Sequence, residues 1–189
     1  MKNNSSFTKP IFTLILICGF ATAIVAGVYS LSKATILETN QKNIALSYLE
    51  VFPLLGTTKK VPLPKEQTSS IIKELLISSK NEKINGYIYT VVPKGYNGEI
   101  SIMVGFKAPD KTITGVKILS NHETPGLGAN CSSPSFLDQF KTKSTKEALV
   151  VSKQAQAFNE IQAITGATIT SRAVTKGINE ARAHLIKNY

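Results

Sequence analysis

Asn85-Gly86-Tyr87-Ile88-Tyr89-Thr90-Val91-Val92 leads through Pro93-Lys94-Gly95-Tyr96-Asn97-Gly98 into Glu99 to Lys107, and then through Pro109-Asp110-Lys111 into Thr112 to Ser120. The three runs are rich in Ile, Val, Tyr and Phe, alternate in part between apolar and polar positions, and stop at turn-forming residues, as half-buried strands do. Three consecutive strands on short connections imply an antiparallel meander. The sequence on either side is helical in pattern, so the fold class is α+β, with an antiparallel sheet flanked by helices.

Working back from the sheet, Glu66 to Ser78 carries Ile71, Ile72, Leu75 and Leu76 at helical spacing and reads as a helix. Pro53, Gly56, Pro62 and Pro64 mark a loop before it. Ser32 to Phe52 has few breakers and an apolar stripe through Ile36, Ile44, Ala45, Tyr48, Leu49 and Phe52, the pattern of a helical stalk. From Ile11 to Leu31 there is no charged residue, a length that matches the roughly 20 residues needed to cross a bilayer core. A cleavable signal peptide is the rival reading, with Ala21-Thr22-Ala23 as its small-x-small site. The apolar run, however, continues past that point and exceeds the usual h-region of about 7 to 15 residues. Lys2 and Lys9 before the span balance Lys33 and Lys42 after it, so charge does not set the orientation. A short N-terminal tail with a long downstream domain is the ordinary layout of a signal anchor, with the N-terminus cytoplasmic and the domain exported. The chain therefore divides into a tail (1–10), a span (11–31), a stalk and helical segment (32–84) and a ligand-binding region (85–189).

Forward of the sheet comes His122-Glu123-Thr124-Pro125-Gly126-Leu127-Gly128. Two glycines and a proline force a sharply turned loop, which either connects strand to helix at Ser135 to Phe140 or cradles a planar ligand. In the second case Glu123 and Thr124 offer polar contacts to a ring edge, and Leu127 an apolar surface to its face. Further on, Thr165-Gly166-Ala167-Thr168-Ile169-Thr170-Ser171 follows the apolar positions Phe158, Ile161, Ala163 and Ile164. It precedes Val174, Ile178, Ala181 and Leu185, which recur as one buried helix face. This turn sits at a helix N-terminus, where Thr170 or Ser171 is a natural cap. The unpaired N–H groups there, the positive end of the helix dipole and Arg172 suit a phosphate.

Composition narrows the function. The formal charge is +10, from 22 Lys/Arg against 12 Asp/Glu, but the basic residues are dispersed, and the chain has no Trp. Nucleic-acid readers concentrate basic residues among aromatics, so the charge favours anionic ligands, lipid headgroups or acidic redox partners. Cys18 and Cys131 are too few for a thiolate metal or iron–sulfur site. Cys18 falls in the apolar run, so Cys131 is expected as a free thiol. No paired-carboxylate, Ser-His-Asp or Cys-His pattern supports hydrolysis, and His122 has no histidine near it in sequence.

The single N-terminal span, Gly95-Tyr96-Asn97-Gly98, Ile102-Met103-Val104-Gly105, the His122 to Gly128 loop and Thr165 to Val174, in that order, resemble the G subunit of the Rnf (Rsx) ion-translocating electron-transport complex. The resemblance covers nearly the whole chain. The same FMN-binding domain occurs in the C subunit of the sodium-translocating NADH:quinone oxidoreductase. The resemblance implies FMN joined through its phosphate to the last threonine of a Ser/Thr-Gly-Ala-Thr motif, here Thr168, with Thr165, Gly166 and Ala167 around it. It implies an isoalloxazine ring lined by Glu123, Thr124, Gly126 and Leu127. The attaching flavin transferase usually meets an Asp three residues before the motif, and here that residue is Gln162. The implied protein is an electron-carrying subunit of a redox-driven ion translocase in the bacterial inner membrane. Its partners are the other subunits, the transferase and membrane lipid, its FMN domain lies on the periplasmic side, and no residue acts as a catalytic acid or base. A flavin-free assembly module of the same fold and a stand-alone flavoprotein reductase are the competing readings.

Overall fold

The computed structural model describes residues 5–63 and 70–189. It separates into two units, one ending at Ala45 and the other spanning Leu46–Tyr189. The first unit is formed by helix α1 (Ser5–Val51), whose last turns belong to the second. Span and stalk are thus one uninterrupted helix, as the lack of breakers predicts. Within it, Pro10–Tyr29 has a mean hydropathy of 2.5 over 20 residues and is long and apolar enough to cross a membrane. Its apolar side chains, among them Phe12, Leu16 and Phe20, point outward.

The second unit is built on five antiparallel strands in sequential order: β1 (Thr57–Val61), β2 (Ile72–Lys80), β3 (Lys83–Val91), β4 (Ser101–Lys107) and β5 (Ile113–Ser120). The expected meander is present as β3 to β5. Two expectations are corrected. The stretch read as a helix from Glu66 to Ser78 is strand β2 from Ile72 onward, its first residues lying outside those described. The loop read between Pro53 and Pro64 contains edge strand β1.

Both faces of the sheet are covered, and this is what hid β2. On one face Leu75, Tyr89, Val91, Val104 and Phe106 pack against helix α3 (Thr168–Asn188) through Val174, Ile178, Ala181 and Leu185, all four fully buried. Burying each of the larger of these side chains stabilises the unit by about 1.5–3 kcal/mol. On the other face Leu76, Ile88 and Met103 meet Val51 and Phe52 at the end of α1, where the Thr114 hydroxyl donates to the Val51 carbonyl at 2.7 Å. Leu75 and Leu76 are therefore both buried although they point to opposite faces, so polar/apolar alternation is lost. A bulge between Ile72 and Glu74 shifts the phase further.

Between β5 and α3 the chain forms a 3-10 turn (Gly128–Ser132), a short helix α2 (Pro134–Leu137) continued by a 3-10 turn to Phe140, and two three-residue parallel strands, β6 (Val150–Ser152) and β7 (Glu160–Gln162). Phe136 and Phe140 from this segment pack edge to face beneath it. Ile161 of β7 is fully buried, whereas Phe158 just before it is exposed, with the Lys143 ammonium 4.8 Å from its ring centre. Cys131 is a buried free thiol, and burial pushes it above the usual thiol range.

Candidate functional site

The loop after β5 closes on the Thr124 carbonyl, which accepts from the N–H groups of both Leu127 and Ala129 at 3.1 Å. Gly126 adopts φ +76°, and the Asn130 side chain donates to its carbonyl. This tight turn leaves Leu127 half exposed and turns the Glu123 side chain inward, where it is only 7 % exposed. One Glu123 oxygen, Oε1, accepts from the N–H groups of Tyr96 (2.9 Å) and Asn97 (3.0 Å). The other, Oε2, accepts from the Thr170 hydroxyl at 2.7 Å. Gly95 and Gly128 flank the carboxylate so closely that a Cβ on either would collide with one of its oxygens. Glu123 thus joins three segments remote in sequence: the 95–98 turn, its own loop and the start of α3.

The second loop is set by strand β7. Beyond Gln162, the Ala167 N–H bonds to the Ile164 carbonyl, with Gly166 at φ +74° inside the turn. The Ser171 hydroxyl accepts from the Ile164 N–H and donates to the Ala167 carbonyl, both at 3.0 Å. Helix α3 begins at Thr168, three residues earlier than a Thr170 cap requires, and Ala167 occupies the cap position without a side-chain bond. The hydroxyls expected to cap are committed elsewhere, Thr170 to Glu123 and Ser171 across the turn. The first bond into the helix runs from the Ser171 N–H to the Ala167 carbonyl. Among the described residues, the N–H groups of Thr168, Ile169 and Thr170 consequently have no partner, and neither has the Thr168 hydroxyl.

These two loops face each other across a cavity of about 470 Å³. Its walls are Tyr96, then Glu123, Thr124, Leu127 and Gly128, then Gly166 through Thr170. The volume lies within the range of about 300–1,000 Å³ typical of small-molecule sites. The loops touch: a Cβ on Gly166 would lie 3.1 Å from Leu127 Cδ2. On the far side of Leu127 a second cavity of about 720 Å³ is lined by Gly126, Phe136, Gln139, Gln162 and Thr165, among others. Of the residues singled out in sequence, Glu123, Thr124, Leu127, Gly166, Ala167 and Thr168 border the first cavity, whereas Gly126 and Thr165 border the second. Arg172 borders neither. It lines a groove with Val150, Lys176 and Asn179, because two residues beyond Thr170 is about 200° around the helix. Tyr96 and Ile169 are wall residues that pattern reading did not select, and Thr170, read as a cap, is a third. The signal for Tyr96 was an aromatic residue inside a Gly-x-x-Gly turn.

The FMN-binding domain family matches residues 95–183, a span that opens at the turn gripped by Glu123 and runs into α3. The chain is 40 % identical over 187 residues to the G subunit of the Na(+)-translocating ferredoxin:NAD(+) oxidoreductase complex of Acetobacterium woodii, covering 90 % of this chain and 89 % of that protein. The chain belongs to the G-subunit family of ion-translocating oxidoreductase complexes. Another family member, the G subunit of the ion-translocating oxidoreductase complex of Pasteurella multocida, is 32 % identical over 186 residues, covering 92 % and 90 % of the two chains. The fold is shared with the C subunit of the Na(+)-translocating NADH-quinone reductase of Parabacteroides distasonis, with a TM-score of 0.56 and 22 % identity over 71 % of this chain and 78 % of that one. The family's FMN-binding domain therefore includes both loops and the cavity between them.

Proposed function

We propose that this chain is a membrane-anchored flavoprotein subunit that carries FMN as a phosphoester on Thr168 and relays electrons within an ion-translocating membrane complex. The observation that carries this reading is the placement of Thr168. Its hydroxyl, which has no hydrogen-bond partner among the described residues, stands at the first position of a 21-residue helix, beside three unpaired N–H groups and on the wall of the cavity. Unpaired amides and the helix dipole favour a phosphate at this point. Gly166 and Ala167 keep the approach to the hydroxyl open. In the attachment step the Thr168 Oγ–P bond forms as the P–O bond of an activated flavin phosphate, such as a flavin dinucleotide, breaks. The hydroxyl proton departs with the leaving group, and a dedicated transferase catalyses the exchange. Gln162, the last residue of β7, occupies the place where that transferase usually meets an Asp, and it is exposed.

In this reading Thr124 and Leu127 line the ring from one loop, while Thr165, Gly166 and Ala167 surround the attachment point. Bound FMN supplies one- and two-electron redox chemistry, and the protein supplies attachment, orientation and exclusion of water. The apolar Pro10–Tyr29 helix and the naming of the relatives as subunits of translocating complexes support a membrane location among other subunits. We place the N-terminus in the cytoplasm and the FMN domain on the periplasmic side of the inner membrane. The test of attachment is co-expression with a flavin transferase, denaturation in detergent and inspection of the gel band for flavin fluorescence. A fluorescent parent and a dark Thr168→Val variant are expected. Fluorescence in Thr168→Val refutes the acceptor assignment, and a dark parent favours a flavin-free module. A protease-accessible tag after Tyr189 is expected to be cleaved from the periplasmic side, and protection there refutes the orientation.

A further inference from the structure

The turn that carries Tyr96 is held far more firmly than an exposed turn requires. Its N–H groups at positions 96 and 97 bond to the buried Glu123 carboxylate. The Gly95 N–H closes the turn on the Gly98 carbonyl at 2.6 Å, and the Asn97 side chain donates to the His122 carbonyl at 2.7 Å. On a surface loop, water satisfies such amides at little cost, whereas burying a carboxylate to do so is expensive unless every bond is made. Here both oxygens are engaged, and the third bond, from Thr170, ties the assembly to the first turn of α3. Yet the side chain presented by this turn, Tyr96, is left 71 % exposed at the lip of the cavity. A chain of fixed contacts thus runs from the first turn of α3, two residues from Thr168, through Thr170 and Glu123 to the backbone of Tyr96. It sets the position of an aromatic ring relative to the attachment hydroxyl.

We infer that Tyr96 is the aromatic wall against which the planar ring of the bound flavin packs, and that Glu123 is the positioning residue that holds it there, not a contact to the flavin itself. The inference rests on the proposed attachment at Thr168. An electron-rich phenol and an electron-poor isoalloxazine stack favourably in offset geometry, and the contact covers a ring that is otherwise left to solvent. With both oxygens of Glu123 engaged by protein donors, the carboxylate acts through the turn. The same arrangement accounts for glycine at 95 and 128, where any side chain would displace the carboxylate.

A phenol stacked on a flavin quenches its emission, so contact can be read without measuring activity. The full-length protein, flavinylated by co-expressed transferase and kept in detergent, is excited at the flavin band before and after denaturation. The denatured signal reports flavin loaded, and the ratio of native to denatured signal reports stacking. Tyr96→Ala is expected to load as the parent does and to show a ratio several times higher, with lower emission anisotropy, while Tyr96→Trp keeps the ratio low. Glu123→Ala removes both acceptor oxygens, so it loses the turn and the helix tie together, and its ratio rises with Tyr96 still present. Thr170→Val, which keeps both Glu123 and Tyr96, raises the ratio as well and serves if Glu123→Ala fails to fold. An unchanged ratio in Tyr96→Ala at equal loading overturns the wall assignment and leaves flavin attachment standing. Parental ratios in both Glu123→Ala and Thr170→Val overturn the positioning role alone. No flavin in the denatured parent overturns the attachment and this inference together.

Discussion

Replacing Thr170 by valine removes one hydroxyl and preserves the shape of the side chain, so its effect isolates the bond to Glu123. Both partners are buried, Thr170 to 1 % and Glu123 to 7 % exposure, and the oxygens are 2.7 Å apart. A hydrogen bond to a charged group contributes about 1.5–3 kcal/mol. Valine also leaves Oε2 with no donor in a place water does not readily reach, so the upper half of that range is expected. For a domain of this size each kcal/mol shifts the melting temperature by roughly 2–4 °C, which gives a fall of about 5–12 °C. The chain has no Trp and six Tyr, so near-ultraviolet circular dichroism of the tyrosines in the detergent-solubilised protein is a suitable probe. Thr165→Val is the control: Thr165 is exposed and makes no hydrogen bond among the described residues, and the change should stay within about 0.5 kcal/mol. If Thr170→Val costs no more than Thr165→Val, the buried carboxylate does not depend on that donor, and the three-way junction does not hold the loops together.

Other consequences follow from the packing. On the sheet face that meets the end of α1, a Cβ on Gly105 would stand 2.8 Å from the Val51 carbonyl oxygen. Gly105→Val should therefore destabilise the second unit by at least the about 1–3 kcal/mol typical of overpacking, seen as a lower urea midpoint. Ile178→Ala, at a fully buried position of α3, should cost about 2–5 kcal/mol by the same measurement. His184 Nδ1 and the buried Tyr89 phenol share a hydrogen bond at 3.0 Å, and burial, aided by nearby Lys187, holds the imidazole below the ordinary 6.5. Burial likewise raises Tyr89, which keeps its proton. Because the unfolded chain then binds the proton at higher pH than the folded one, stability is full above about pH 6.5 and declines as the pH falls below it. His184→Gln should flatten that decline in melting temperature between pH 7.5 and 5.5.

The parts of this molecule that were legible in sequence are those where burial is one-sided. Val174, Ile178, Ala181 and Leu185 fall on one helical face because α3 buries only that face. The uninterrupted α1 was legible because its sequence contains nothing that ends a helix between the span and Pro53. Strand β2 was read as a helix because Leu75 and Leu76 serve two different cores, and the resulting adjacent apolar pair imitates i, i+3, i+4 spacing. Strand β1 was invisible for the opposite reason: Thr57 to Lys60 are exposed on the sheet's edge and carry no apolar pattern. At the site, turn chemistry located both loops. What it could not show was that Thr170 bonds to a residue 47 positions away instead of capping its own helix. Side-chain contacts across such distances leave no local periodicity, which is also why Tyr96 escaped selection while its neighbours Gly95 and Gly98 marked the turn.

The central claim is that the start of α3 is a covalent flavin anchor at one named hydroxyl. Proteolysis of the flavinylated full-length protein, isolation of the fluorescent peptide and fragmentation mass spectrometry locate the phosphoester directly. The account predicts a single labelled peptide with the flavin phosphate on Thr168, and loss of the label in Thr168→Val with retention in Thr168→Ser. A label on Thr165, Thr170 or Ser171, or an unlabelled peptide after exposure to an active transferase, would contradict it.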